Sequence, residues 1–251
     1  MKNILSFYSF INEQEERNDF YKKELNNSFW KGESFDPEIR EKLISIANDF
    51  YKDLKLDIPI EDIQLTGSLA NYNWTDKSDL DVHILIDFSK IDDNVDLVKK
   101  ALDGVRFIWN LRHKVFLRGH DVEVYIQDIN APHTASGLFS LMNNKWIRIP
   151  KYSPPEIDYN DVDKKFDGIV SEIVHMENLV NTSDFSSVSK EEIYEYTKKL
   201  KAKILKSREE GLRKDGEFSV ENLVFKKLRN EGYIQKIIEL ISKAYVNIYN
   251  E

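Results

Sequence analysis

The 251-residue chain contains no cysteine. That absence removes disulfide bridges, thiolate metal sites and cysteine nucleophiles together. Long hydrophobic runs are missing as well, and no apolar stretch approaches the roughly 20 residues that a membrane-spanning helix needs. The first eleven residues hold a lone Lys2 and a short apolar stretch, and Glu13, Glu15, Glu16 and Arg17 follow where a secretory signal would carry a small-residue cleavage site. This segment is read as a first helix, and the chain as a cytoplasmic protein with no membrane partner. Internal repeats and low-complexity tracts are also lacking. What is there reads as globular: 41% hydrophobic and 32% charged residues, in a length that suits one large domain or two small ones. The net charge of −8 makes the chain a poor general polyanion binder. A nucleic-acid partner would need a local basic patch, or metal ions at an acidic site.

Periodicity divides the chain into an α+β half and a helical half. A helix is expected over 36–54, with Asp36 as N-cap, Pro37 at the first position and Ile39, Leu43, Ile46, Phe50 and Leu54 at helical spacing. A strand over 60–65 leads into Thr66-Gly67-Ser68. The Val-, Leu- and Ile-rich run 79–88 predicts a buried strand. A helix follows over about 94–116, with Leu97, Ala101, Val105, Ile108 and Leu111 in register, and then a strand over 122–126. Residues 138–149 read as a hairpin turning at Asn143-Asn144. About five strands are expected in residues 1–150. Past the proline-bearing linker 150–155, residues 151–251 form an all-helical domain. Its helices fall near 161–180, 190–213, 220–230 and 233–249, with Ser219 as an N-cap and Gly232 as a helix stop.

The chemistry concentrates in one stretch. Gly67-Ser68 is followed by ten residues of loop and then by Asp79-Leu80-Asp81-Val82-His83-Ile84. Side chains alternate along a strand, so Asp79, Asp81 and His83 share one face while Leu80, Val82, Ile84 and Ile86 share the other. Carboxylates two positions apart lie about 7 Å apart at Cα. Both can reach one metal ion, which relieves their mutual repulsion. Gly67 lets the backbone turn and a ligand approach closely. The Ser68 hydroxyl and nearby N–H groups can donate to phosphate oxygens. A third carboxylate is expected from His120-Asp121-Val122-Glu123-Val124-Tyr125-Ile126. Glu123 is preferred to Asp121, which stands nearer the start of the strand.

Gly-Ser, a loop of this length, Asp-hydrophobic-Asp-hydrophobic and a later acidic strand together resemble the DNA polymerase β-like nucleotidyltransferase superfamily. The motif-bearing part spans about 60–126. The stretches GSLANYNWTDKSDLDVHILIDF, DVEVYIQDINAPH and GEFSVENLVFKKLRNEGYI are similar to predicted nucleotidyltransferases of tailed bacteriophages, which would put the protein in the host cytoplasm. The resemblance implies a nucleotidyltransferase-type mixed sheet flanked by helices. It also implies transfer of a nucleoside monophosphate from an NTP such as ATP, with Mg2+ or Mn2+ and release of pyrophosphate. Gly67 and Ser68 would hold the β- and γ-phosphates, and Asp79, Asp81 and Glu123 would ligate the metals. Many members carry Asp where Glu123 stands; the longer side chain can still ligate. The acceptor stays open between RNA such as a tRNA end, a protein and a small molecule.

Other residues carry two readings each. His83 could touch a phosphate or acceptor, or simply hydrogen-bond Asp81. His133 could reach the base or the acceptor, or cap its loop. Lys77 and Ser78 are candidates to bind the nucleotide; Lys77 could steer triphosphate or only be solvated. Tyr72 and Trp74 could stack on a base, but the favoured reading pins the loop to the core. His113, His120 and His175 lack metal spacing. The basic run Lys198, Lys199, Lys201, Lys203, Lys206, Arg208, Arg213 and Lys214, with Lys226, Lys227 and Arg229, could bind RNA or triphosphate. The favoured reading is the wet face of amphipathic helices, with Leu200, Ile204, Leu205 and Leu212 inside. Two rival functions remain at this stage: a silent binding module on the same fold, and a two-metal phosphodiesterase.

Overall fold

Trp30 anchors the first element. It lies in strand β1 (Trp30–Lys31), which turns at Gly32 (φ +61°) into β2 (Ser34–Phe35). Its indole donates to the Leu69 carbonyl at 2.7 Å and stacks on Trp146 at 4.5 Å. The computed structural model describes residues 21–133, 135–153, 156–181 and 188–250, so the expected first helix lies outside the described residues. The chain divides into two compact units, Met1–Pro154 and Pro155–Glu251.

Helix α1 (Pro37–Leu54) starts as its caps predict, with the Asp36 carboxylate accepting from the Ile39 N–H and Pro37 at the first position. Ile39, Leu43, Ala47 and Phe50 are buried, while Ile46 and Leu54 pack at the margin of the core. Strand β3 (Asp62–Thr66) then pairs antiparallel with β4 (Leu80–Ile86), whose Leu80, Val82, Ile84 and Ile86 are fully buried. These residues join Ile63, Leu65, Val122 and Val124 in one core with α1.

Helix α2 (Val95–Arg112) corrects two expectations. It stops four residues early, because Phe116–Leu117 forms a short strand, β5, against the start of β6 (His120–Asp128). The turn uses Arg118 (φ +50°) and Gly119 (φ +87°), the left-handed pair that a two-residue hairpin requires. The inward face also differs. Val98, Leu102 and Trp109 are buried, whereas Leu97, Val105, Ile108 and Leu111 are exposed. The helix carries two apolar stripes at helical spacing, and periodicity alone does not say which one meets the core.

The six-stranded sheet is mixed, in the order β5-β6-β4-β3-β7-β8, with β4 and β6 parallel and the other neighbours antiparallel. Strands β7 (Leu138–Ser140) and β8 (Lys145–Arg148) form the expected hairpin, with Asn144 at φ +51°. With the short β1, β2 and β5 included, eight strands occur among the described residues, more than expected.

Strand β5 covers only the first two residues of β6, and α2 covers part of what remains. Asn110 donates to the Val124 carbonyl at 3.0 Å and accepts from its N–H at 3.2 Å, so one amide imitates a neighbouring strand. Asn110→Leu leaves both backbone groups unpaired beside the core and is expected to cost about 1–3 kcal/mol. All four tryptophans, Trp30, Trp74, Trp109 and Trp146, lie in the first unit. Their fluorescence in urea should show a lower midpoint; an unchanged midpoint would contradict this role for Asn110.

The second unit contains α3 (Tyr159–Asn181), α4 (Lys190–Asp215), α5 (Val220–Asn230) and α6 (Tyr233–Tyr249). Ser189 and Glu192 form a capping box at α4, Ser219 caps α5, and Gly232 is left-handed between α5 and α6. The basic run on α4 and α5 is largely engaged. Lys198 pairs with Glu195, Lys203 with Glu172, Lys206 with Glu210 and Lys227 with Asp163, and Arg208 lies over the Phe225 ring. Leu200 and Ile204 face inward as expected, but Leu205 and Leu212 are exposed. Among the described residues no helix is long and apolar enough to cross a membrane.

Candidate active site

The sheet has one apolar face and one polar face, and register assembles the polar one. Thr66 of β3 lies opposite Asp81 of β4, which lies beside Glu123 of β6. The next row is Gln64, His83 and Tyr125, extended by Ser140 of β7. Four strands therefore deliver polar side chains to one surface, while the intervening residues form the core.

Gly67 follows directly at the end of β3. Its φ of +75° and ψ of −161° fall in a region reserved in practice for glycine. A Cβ placed there would stand 1.9 Å from Asp81 Oδ2 and 2.9 Å from its Cγ. The glycine thus brings backbone directly against the Asp81 carboxylate. Ser68–Ala70 continues as one 3-10 turn, closed by Ala70 N–H donating to Gly67 O and Asn71 N–H to Ser68 O.

The loop that follows is built from side-chain bonds. Ser68 Oγ donates to Ser78 Oγ at 2.8 Å, and Ser78 Oγ also accepts from the Thr75 N–H at 2.9 Å. His120 Nδ1 donates to the Ser78 carbonyl at 2.6 Å, tying the residue before Asp79 to the start of β6. Ser78 is buried, and its hydroxyl closes the loop onto Ser68; Lys77 is exposed. Trp74 donates to the Glu24 carbonyl, and Tyr72 meets the rings of Tyr21 and Tyr152. Both aromatics hold the loop, in agreement with the favoured reading.

Asp79 stands just before β4, and Asp81 is the second residue of that strand. Asp121 is the second residue of β6 and lies opposite Phe116 of β5, whereas Glu123 is the residue in register with Asp81. Among the described residues no three His, Cys, Asp or Glu side chains converge closely enough to hold a metal ion. The structure brings Asp81 and Glu123 side by side and leaves Asp79 two residues away. Such an oxygen-only donor set suits Mg2+ or Mn2+ rather than a softer metal. The space that a Cβ at position 67 would fill is taken by the Asp81 carboxylate itself.

Tyr125, two residues beyond Glu123 on the same face, donates its phenolic hydrogen to Glu123 Oε2. Burial, and then the charges of Asp81 and Glu123, push the Tyr125 pKa far above its ordinary value, so the hydroxyl stays protonated. Its ring stacks on His83 at 4.8 Å, and the Arg106 guanidinium lies 4.5 Å from the ring centre. His83 Nδ1 donates to Gln127 Oε1 at 2.7 Å. Burial lowers the His83 pKa to about 4, with smaller contributions from His133 and Arg106 and opposition from the Gln127 bond. The imidazole is therefore neutral at pH 7 and adds no positive charge beside the acids. His133 lies 5.7 Å from the His83 ring, and its Nε2 is buried with no hydrogen-bond partner. Burial, then Arg148, lowers its pKa too.

Sequence reasoning named Gly67, Ser68, Asp81 and Glu123 but missed Tyr125, Gln127 and Arg106. The i+2 spacing from Glu123 could have placed Tyr125 on the acidic face; nothing local announces Arg106, which arrives from α2. Comparison of the chain with known protein families, with curated proteins and with solved structures finds no match.

Proposed function

We propose that the first unit is a metal-dependent nucleotidyltransferase, its mixed sheet of the nucleotidyltransferase type, which moves a nucleoside monophosphate from an NTP to a hydroxyl acceptor. The observation that carries this reading is the row Thr66–Asp81–Glu123 with Gly67 set against the Asp81 carboxylate. Two carboxylates in adjacent strands, beside a close backbone approach and a serine turn, provide cation ligands next to phosphate donors. Asp81 and Glu123, side by side in register, would hold Mg2+ or Mn2+, and Asp79 would have to turn toward them to join. Ser68 and the N–H groups of its turn bind the β- and γ-phosphates, which requires the Ser68 hydroxyl to turn from Ser78 to the ligand.

The bound cation supplies Lewis acidity to the reacting oxygens. The acceptor O–H gives its proton to solvent water, its oxygen bonds to the α-phosphorus, and the bond to the bridging oxygen breaks to release pyrophosphate. The chain's own contribution is alignment and charge placement rather than covalent chemistry. His83, neutral and tied to Gln127, forms part of the wall and takes no proton. NTP is the partner common to every acceptor, whether RNA, protein or small molecule.

The order of two variants tests the assignment of the third acid. With α-labelled NTP, Mg2+ and a bacterial lysate as the source of acceptors, Glu123→Gln should lower the rate of product labelling by at least ~100-fold. Asp121→Asn should lower it by less than about 10-fold, as expected for a charge outside the metal contacts. The reverse order would assign the third ligand to Asp121.

A further inference from the structure

We propose that Tyr125 is a positioning residue: its hydroxyl holds one oxygen of Glu123 so that the other is offered to a divalent cation beside Asp81. This rests on the metal-dependent reading above. A glutamate carboxylate ends three rotatable bonds from the backbone, and ordering such a chain costs conformational entropy at the moment of ligation. Here that cost falls in the folding of the protein. Glu123 Oε2 accepts from the Tyr125 hydroxyl, so one of the two carboxylate oxygens is held by the protein itself.

The phenol is itself held. Strand register puts His83 beside Tyr125, and the two rings stack at 4.8 Å with 27° between their planes. From α2, Arg106 brings its guanidinium to 4.5 Å from the ring centre. His83 is in turn fixed by Gln127 at 2.7 Å. A chain of contacts thus runs from Gln127 through His83 and Tyr125 to Glu123. The consequence is ligation through a single oxygen, Oε1, because Oε2 is engaged. An unsupported glutamate could close on a cation with both oxygens; this one is restrained from doing so.

The test is Mn2+ binding to the full chain, followed by the loss of the free-ion electron paramagnetic resonance signal, with no nucleotide or turnover required. Tyr125→Phe keeps the ring between His83 and Arg106 and removes only the hydroxyl. It should bind Mn2+ about 10-fold more weakly than the unaltered protein, the size expected for losing a hydrogen bond to a metal ligand, with an unchanged urea midpoint. Glu123→Gln should lose more affinity, and adding Tyr125→Phe to it should cost nothing further, because the phenol acts only through Glu123. Equal affinity for Tyr125→Phe and the unaltered protein, or additive losses in the double variant, would overturn the positioning role alone. Absence of Mn2+ binding by the unaltered protein would overturn the metal-dependent reading and the positioning role with it.

Discussion

Asp81→Asn should abolish nucleotidyl transfer, lowering the rate by on the order of 10³-fold, or ~4 kcal/mol of transition-state stabilisation. Its position explains the size. Asp81 lies both beside Glu123 in the sheet and against the backbone of Gly67. The change removes a charged ligand while keeping shape and one acceptor oxygen. Stability should move little, within about 0.5 kcal/mol, because it also removes one of two like charges in neighbouring strands. Activity in the labelling assay and the tryptophan unfolding curve are the paired measurements. Loss of both together would make Asp81 a structural residue; full activity would remove it from the site.

Gly67→Ala should be nearly as damaging by a different route. At φ +75° and ψ −161° an alanine pays backbone strain of about 1–3 kcal/mol. Its Cβ would also fall 1.9 Å from Asp81 Oδ2, far inside contact distance. The carboxylate must swing away, or the turn carrying Ser68 must move; either separates the metal ligand from the phosphate donors. A displacement of about 1 Å is enough to cost on the order of 100-fold in rate. Unlike Asp81→Asn, this variant should lose stability as well as activity, with the first-unit unfolding midpoint falling. An alanine variant with normal activity and an unshifted midpoint would mean that the close approach of Gly67 to Asp81 is unimportant.

How much of this was legible in the chain follows from the range of each interaction. The buried back of β4 could be read because alternation is a local property of the backbone, and Leu80, Val82, Ile84 and Ile86 are all fully buried. The start of α1 was legible because Asp36 caps a residue three positions away. The Asn143-Asn144 hairpin was legible because Asn tolerates the left-handed conformation that the turn requires. The inward face of α2 was not legible, since two apolar stripes compete and only the tertiary neighbour decides between them. Within the site, the Asp and Glu positions stood out as residue types. The link from Ser68 to Ser78 spans ten residues and that from Arg106 to Tyr125 joins a helix to a strand, so neither leaves a periodic trace. The pairing of Asp81 with Glu123 depends on the register of parallel strands separated by a helix, which spacing alone does not determine.

The most direct measurement of the central claim is product formation by the unaltered protein from each of four α-labelled NTPs, with Mg2+ or Mn2+, in a bacterial lysate and in its RNA fraction. The account predicts label covalently attached to an acceptor, pyrophosphate released in equal amount, and no product when the divalent cation is chelated or when Asp79 and Asp81 are both changed to alanine. Shortened RNA without labelled product would instead identify a phosphodiesterase. Labelling that is identical in the unaltered and doubly substituted proteins, or absent from every acceptor fraction, would contradict nucleotidyl transfer at this sheet face.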